Sequence, residues 1–181
     1  AGIEQVTIFG GEIARAPLIS YVTSLAFVFI AIVTPLVSGV ADYLGNKKMF
    51  LKFFCYLGAA SCIGLYWFSL ENIVFGLACY FFGLVGFWVS FAINNSYLPD
   101  IAYPEQQDSI SAKGFSLGYV GSVILLVFNL FMVMEPDFFG ITDSGGEIAE
   151  IKAMKYSFIS VGIWWILFSQ YTFKRKPLNL V

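Results

Sequence analysis

Five stretches without a charged residue constrain this chain more strongly than any other feature of its sequence. They cover 16–41, 53–70, 72–99, 114–134 and 156–173, and each is 18 to 28 residues long. About 20 apolar residues in a helix are enough to cross a hydrocarbon core roughly 30 Å thick. The runs are continuously apolar, whereas the strands of a membrane barrel alternate polar and apolar residues. We therefore predict an all-α membrane protein with five transmembrane helices.

The overall composition agrees with a membrane protein and argues against several other functions. Hydrophobic residues make up 59% of the chain and charged residues 12%, whereas about 25% of an ordinary soluble domain is charged. The chain has no histidine, and its three cysteines lack the spacing of metal ligands, so we expect no metal and no cofactor. The residue patterns of enzymes and of nucleic-acid-binding proteins are also missing. We predict a single polytopic membrane domain over 1–181, with spans at about 17–38, 50–70, 73–93, 114–134 and 155–173.

The basic residues indicate which way the chain crosses the membrane. Short loops that are rich in lysine and arginine tend to stay in the cytoplasm. One side of the predicted bundle holds seven of the ten basic residues, namely Lys47, Lys48, Lys52, Lys113, Lys174, Arg175 and Lys176. The opposite side holds the other three basic residues and eight of the twelve acidic ones. We therefore expect the N-terminus outside and the C-terminus inside.

The turn after the first span, "SGVADYLGNKK" at 38–48, is the first informative polar segment. Asp42 is expected at the end of a helix, and Gly45 provides a residue that tolerates a positive φ. Lys47 and Lys48 would then face the headgroups, where anionic lipids attract them.

This turn resembles the cytoplasmic signature loop of the major facilitator superfamily. That loop has a small residue four positions before an acid, a glycine three positions after it, and basic residues next. Here Ser38, with Gly39 beside it, takes the small position, and Asn46 takes the first basic one. The resemblance implies that Asp42 is a gate that holds two halves of a transporter together in one access state. The alternative is a turn residue that caps the next helix.

A second polar segment, the elbow at 94–113, lies between the third and fourth spans. It is expected at the cytoplasmic surface because about 20 residues from position 72 complete the crossing. Pro99 disfavours helix at Leu98, and Pro104 with the following "EQQ" predicts a short interfacial helix. Asp108 or Ser109 could then cap the fourth span.

The elbow resembles the autophagy-protein-twenty-two-like branch of the same superfamily, whose fungal members are vacuolar amino-acid effluxers. The match is carried by the run "YLPDIA" from Tyr97, by the acidic "PE" at Pro104, and by 111–121. It implies that the five spans correspond to helices two to six of a six-helix half. The first helix of that half and the whole second half are missing from this chain.

Asp100 and the two asparagines before it are the candidate residues of the elbow. Asp100 either pairs with a basic group, on the elbow or at Lys113, and braces the inner gate, or it is a solvated acid after Pro99. Asn94 and Asn95 are expected at the interface as hydrogen-bonding residues of a helix end.

Asn129 is the clearest polar side chain inside a span. An amide in hydrocarbon is costly, so Asn129 should face other helices or a water-filled cavity. It is either an interhelical hydrogen-bonding residue or a contact for the substrate. The glycine pairs Gly114 with Gly118, and Gly83 with Gly86, predict close helix packing.

The resemblance implies part of a secondary active transporter that moves a small polar solute, with amino acids as the suggested class, by alternating access. Its expected partners are the lipid bilayer, the solute with a coupling proton, and the missing first helix and second half. We expect a multi-pass protein of the cell membrane in a bacterium or of the vacuolar membrane in a fungus. The alternative is a non-transporting structural or regulatory membrane protein that binds a partner.

Overall fold

The structure is a computed structural model that describes residues 5–8, 11–69, 71–143 and 145–174. Within these residues the chain forms five long helices and one short helix. They are α1 (Arg15–Tyr43), α2 (Lys47–Gly64), α3 (Ile73–Asn95), the short α4 (Leu98–Ile101), α5 (Pro104–Met134) and α6 (Ala149–Lys174). All five long helices are long and apolar enough to cross a membrane. The prediction of a helical membrane protein with five spans is therefore confirmed.

A β-hairpin precedes the first span and was not predicted from the sequence. Strand β1 (Gln5–Ile8) pairs with β2 (Gly11–Ala14) in antiparallel register, with Gln5 opposite Ala14. The hairpin leads directly into α1, because β2 ends at Ala14 and the helix begins at Arg15.

Helix α2 lies at the centre of the bundle. It packs along α3 on one side and along α6 on the other, while α1 packs against α3 and α5 against α6. The buried apolar core lies between α1, α2 and α3, with one residue from α6; its members are Ala26, Ile30, Leu51, Phe54, Cys55, Val85, Val89, Ile93 and Phe173. Many other apolar side chains remain exposed, as is usual where the surrounding solvent is lipid.

Glycines allow α2 to approach both of its main neighbours closely. A Cβ atom on Gly86 would lie 2.5 Å from the Gly58 backbone nitrogen and 2.8 Å from the Phe54 carbonyl oxygen. A Cβ on Gly162 of α6 would lie 2.9 Å from the carbonyl oxygen of Ala59. The predicted close packing is confirmed at Gly86. It is wrong at Gly83, where a Cβ atom would lie 3.8 Å from the Ser61 Cβ, and among the described residues nothing lies within 4 Å of a Cβ atom placed on Gly114 or Gly118.

The elbow folds differently from the prediction in two respects. Helix α5 runs without a break from Pro104 through the whole fourth span, so neither Asp108 nor Ser109 caps a separate helix. Leu98 is helical although Pro99 follows it. Both prolines lie in the first turn of their helices, where the missing N–H needs no partner within the helix. Proline here starts a helix rather than excluding one.

Candidate functional site

The turn between α1 and α2 ends one helix and caps the next. Gly45 has a φ of 63°, the Gly45 N–H donates to the Asp42 carbonyl at 3.2 Å, and the Asn46 N–H donates to the Ala41 carbonyl at 3.2 Å. This pair of bonds is the Schellman arrangement, which explains why glycine is needed at position 45. The side-chain Oδ1 of Asn46 then accepts a hydrogen bond from the Met49 N–H at 3.3 Å. Asn46, rather than Asp42, is therefore the N-cap of α2.

Lys47 joins this turn to the elbow. Its Nζ lies 3.1 Å from Asp42 Oδ1 and 2.7 Å from Asp100 Oδ2, and it donates to the Ser96 carbonyl at 3.2 Å. It also lies 5.8 Å from the centre of the Tyr97 ring. We call Asp42, Lys47, Asp100 and the Ser96 carbonyl the lysine clasp. The clasp ties the end of α1 to α4, through Asp100, and to the residue that follows α3, through the Ser96 carbonyl.

The chemistry of the clasp matches one ammonium group to three acceptors. A lysine ammonium has three donor hydrogens, and here it meets two carboxylates and one carbonyl. The Lys47 side chain is 19% exposed, whereas those of Asp42 and Asp100 are 57% and 47% exposed. Ion pairs of this exposure are worth about 0–1 kcal/mol each. The clasp therefore orients its members without locking them, and the Asp42 side chain remains more than half exposed.

The structure corrects the predicted partner of Asp100. Its ion pair is made with Lys47, 53 residues earlier in the chain, and not with Lys113 or another basic group of the elbow. Lys113 lies exposed on α5. Only the packing of α2 against α3 brings Lys47 and Asp100 together, and no local pattern in the sequence encodes that contact.

The Lys47–Asp100 pair is expected to show a coupling free energy of about 1 kcal/mol in a double-mutant cycle. The cycle consists of Lys47→Met, Asp100→Asn and the double variant, and the free energy of unfolding is measured in detergent. The same cycle with Lys113→Met in place of Lys47→Met is expected to give no coupling. Additive effects of Lys47→Met and Asp100→Asn would contradict the pairing.

A groove of about 860 Å³ opens beside the clasp, between the ends of α3, α5 and α6. It contains three predicted elbow residues, Asn94, Asn95 and Tyr97, together with Lys48. Ser38 and Gly39 of the signature turn lie outside both the clasp and the groove, and a Cβ atom on Gly39 would meet nothing within 4 Å. Pro99 lies in the first turn of α4.

Asn129 is in contact with a neighbouring helix. Its Oδ1 accepts a hydrogen bond from Ser160 Oγ of α6 at 2.6 Å, and the side chain does not line the groove. Hydrogen bonds between membrane helices contribute about 0.6 kcal/mol on average. The contact corresponds to the interhelical role of Asn129, and a role in substrate binding stays a prediction.

These features define the class of the protein. The part of the chain that the structure describes is a polytopic membrane protein, with five helices that can span a membrane and a basic residue that links a Schellman turn to the elbow. The comparison with known sequences identifies the family more closely. The chain belongs to the family described as "Vacuole effluxer Atg22 like", which matches residues 3–175.

Similar proteins occur in a bacterium and in fungi. The chain is 26% identical to the "Uncharacterized MFS-type transporter YxiO" of Bacillus subtilis, over 88% of this chain and 38% of that protein. It is 28% identical to "Autophagy-related protein 22" of Saccharomyces cerevisiae, over 81% of this chain and 29% of that protein. It is 23% identical to "Autophagy-related protein 22-2" of Aspergillus niger, over 91% of this chain and 36% of that protein. The chain thus spans well under half the length of these relatives, and no solved structure gives a significant match.

Proposed function

We propose that the chain is part of a secondary active transporter that moves a small polar solute across the membrane by alternating access, and that the lysine clasp belongs to its inner gate. The observation that supports this proposal most directly is the Asp100–Lys47–Asp42 chain of ion pairs. It connects the two loops at one end of the bundle that the sequence resemblance singled out.

In this proposal Lys47 is a positioning residue and Asp42 makes the gating contact. Lys47 holds Oδ1 of Asp42, while the other oxygen faces a helix N-terminus of the second half, where the helix dipole favours an anion. Asp100 and the Ser96 carbonyl hold Lys47 in place. Because each ion pair is worth only about 1 kcal/mol, the gate can open and close during the cycle without a large energetic penalty.

We further propose amino acids as the solute class and the cytoplasmic side as the location of the clasp. The family description, a vacuole effluxer, and the transporter name of the bacterial relative support transport, and amino acids are the solute class that the sequence resemblance implies. Support for the sidedness comes from the sequence pattern, which assigns seven of the ten basic residues to one side of the predicted bundle. The transporter also includes the first helix and the second half that this chain lacks. We assign its coupling proton to carboxylates in those parts, because the five apolar runs contain no acidic residue.

Asp42→Asn is expected to slow transport by the complete protein about tenfold, which corresponds to about 1.4 kcal/mol. The substitution keeps the shape of the side chain but removes the charge that faces the second half. Uptake of a labelled amino acid into vesicles is compared with wild type at equal abundance in the membrane. Unchanged uptake at equal abundance would remove Asp42 from the gate. A wild-type protein that transports nothing would favour the structural or regulatory alternative.

A further inference from the structure

Two lysines lie where the start of α2 meets the end of α6, at the end of the bundle that carries the clasp. Lys52 lies in the second turn of α2, and its Nζ lies 5.6 Å from the centre of the Phe173 ring. Lys174 is the last residue of α6 and is exposed. One turn towards the middle of the membrane, Gln170 Nε2 donates a hydrogen bond to the Tyr56 hydroxyl at 2.7 Å. We call Lys52, Tyr56, Gln170 and Lys174 the basic patch.

The register of the two helices places these lysines at one level. Tyr56 follows Lys52 by four residues, so both lie on one face of α2. Gln170 precedes Lys174 by four residues and shares a face of α6 with it. The start of α2 contacts the end of α6, and the end of α2 contacts the middle of α6, so the helices run antiparallel. The Tyr56–Gln170 contact therefore places the two lysines on facing helices, one turn closer to the membrane surface.

Neither lysine of the patch has an acidic partner. In the part of the chain that the structure describes, Lys52 and Lys174 form no ion pair, whereas Lys47, at the start of the same α2, meets two carboxylates. The Tyr56 hydroxyl accepts from Gln170, and its own hydrogen has no acceptor among these residues. Neighbouring ammonium groups repel each other, and this repulsion grows where the dielectric constant is low. The patch thus combines three donor groups and lacks an anion.

The depth of the patch corresponds to the headgroup level of a bilayer. The span Lys47–Trp67 has 21 residues, which makes it about as long as the hydrocarbon core is thick. Lys52 lies about 8 Å along the axis from the start of this span. Its side chain leans towards the N-terminus of α2, so the ammonium group extends from this depth towards the headgroups. The Lys174 side chain leans towards the N-terminus of its own helix and so approaches the same level.

The surface beside the patch becomes apolar towards the middle of the membrane. Leu167 and Ile163 lie three and seven residues before Gln170, so they continue its face of α6, and both are exposed. Exposed apolar side chains of a membrane helix contact lipid chains. A molecule that matches both parts of this surface has an anionic head and a long apolar chain.

We propose that the basic patch binds the headgroup phosphate of one anionic phospholipid. The phosphate oxygens accept hydrogen bonds from Lys52, Lys174 and the Tyr56 hydroxyl, and an acyl chain lies along Leu167 and Ile163. Basic sites between membrane helices are a known type of binding site for anionic lipid headgroups. The lipid supplies the negative charge that the described residues lack, and it connects α2 to α6 at this end of the bundle.

The test is the thermal unfolding midpoint of the complete protein in an uncharged detergent to which lipid is added. Phosphatidylglycerol is expected to raise the midpoint by at least about 3 °C, because a ligand that binds only the folded state stabilises it. Phosphatidylcholine carries the same phosphate with a compensating positive charge, and it is expected to raise the midpoint by less than about 1 °C. Inorganic phosphate at the same concentration lacks the acyl chains and is expected to have no effect.

Variants of the two lysines locate the response. Lys52→Met and Lys174→Met each remove one ammonium group and keep an apolar stem, so each is expected to reduce the shift caused by phosphatidylglycerol by at least about half. Lys52→Arg keeps the charge and should preserve the shift. Lys113→Met removes an exposed lysine of α5 outside the patch and, as the matched control, should retain the full shift. Lys174 is exposed at the end of its helix, so Lys174→Met tests the site even where Lys52→Met does not fold.

Four results would each overturn the proposal. Equal shifts with phosphatidylcholine and phosphatidylglycerol would show that the negative charge is not recognised. Equal shifts in Lys174→Met and Lys113→Met would show that the lipid acts elsewhere on the surface. The same shift with inorganic phosphate would indicate an ion site without a lipid. No response of the wild type to phosphatidylglycerol would mean that another anion, such as an acidic segment of the complete protein, fills the patch. The readout is stability rather than transport, so its outcome is independent of the proposed function.

Discussion

Lys47→Met is expected to slow solute exchange by the complete protein about 30-fold at equal membrane abundance. The substitution keeps the apolar stem of the side chain and removes the ammonium group that touches Asp42, Asp100 and the Ser96 carbonyl. Loss of two ion pairs of about 1 kcal/mol each corresponds to a factor of roughly 30 in rate. The rate of exchange is measured in proteoliposomes by following the movement of a labelled amino acid, placed either inside or outside, across the membrane.

Lys113→Met provides the matched control for this prediction. Lys113 is an exposed lysine on α5 that lies outside the clasp and does not line the groove. Its substitution removes the same charge and should leave exchange within about twofold of wild type. Equal effects of Lys47→Met and Lys113→Met would show that the clasp has no special role and that only the total charge matters.

Gly86→Ala is expected to destabilise the protein by about 3 kcal/mol or to prevent folding. The added methyl group would lie 2.5 Å from the Gly58 nitrogen and 2.6 Å from the Gly58 Cα. Both are backbone atoms at the crossing of α2 and α3, so no side-chain rotation can relieve the clash. The thermal unfolding midpoint in detergent should fall by at least about 5 °C.

Gly83→Ala, one turn earlier on the same helix, is the control. Its added methyl group would lie 3.8 Å from the Ser61 Cβ, which is an ordinary van der Waals contact. The expected change in the midpoint is less than about 2 °C. A Gly86→Ala protein as stable as the Gly83→Ala protein would contradict the close crossing of α2 and α3.

The sequence predicted those parts of the fold that depend on local composition. Charge-free runs identified all five spans, because an ionised side chain is costly inside hydrocarbon whichever helices surround it. The positive φ of Gly45 was predictable because a helix that ends in a left-handed residue favours glycine, which has no Cβ atom, at that position. Gly86 was predictable as a packing residue because small residues at short spacing let membrane helices approach each other closely.

The clasp could not be predicted in the same way. The contact between Lys47 and Asp100 depends on how α2 and α3 pack, and nothing near either residue encodes it. Asn46 was treated as a departure from the basic position of the signature loop, although an asparagine directly before a helix is a common N-cap. That signal was present in the sequence and would have identified its role. The prediction for the elbow is wrong at Pro99, which lies in the first turn of α4 instead of excluding helix at Leu98, whereas a helix does begin at Pro104, as the sequence predicts.

Counterflow by the wild-type protein tests the proposed function most directly. Complete protein in proteoliposomes is loaded with an unlabelled amino acid, and entry of the labelled one is followed without an ion gradient. Alternating access predicts rapid entry that is stimulated by the internal solute and absent from protein-free vesicles. Folded, correctly inserted protein that gives no stimulation with any amino acid tested would contradict an amino-acid transporter of this kind.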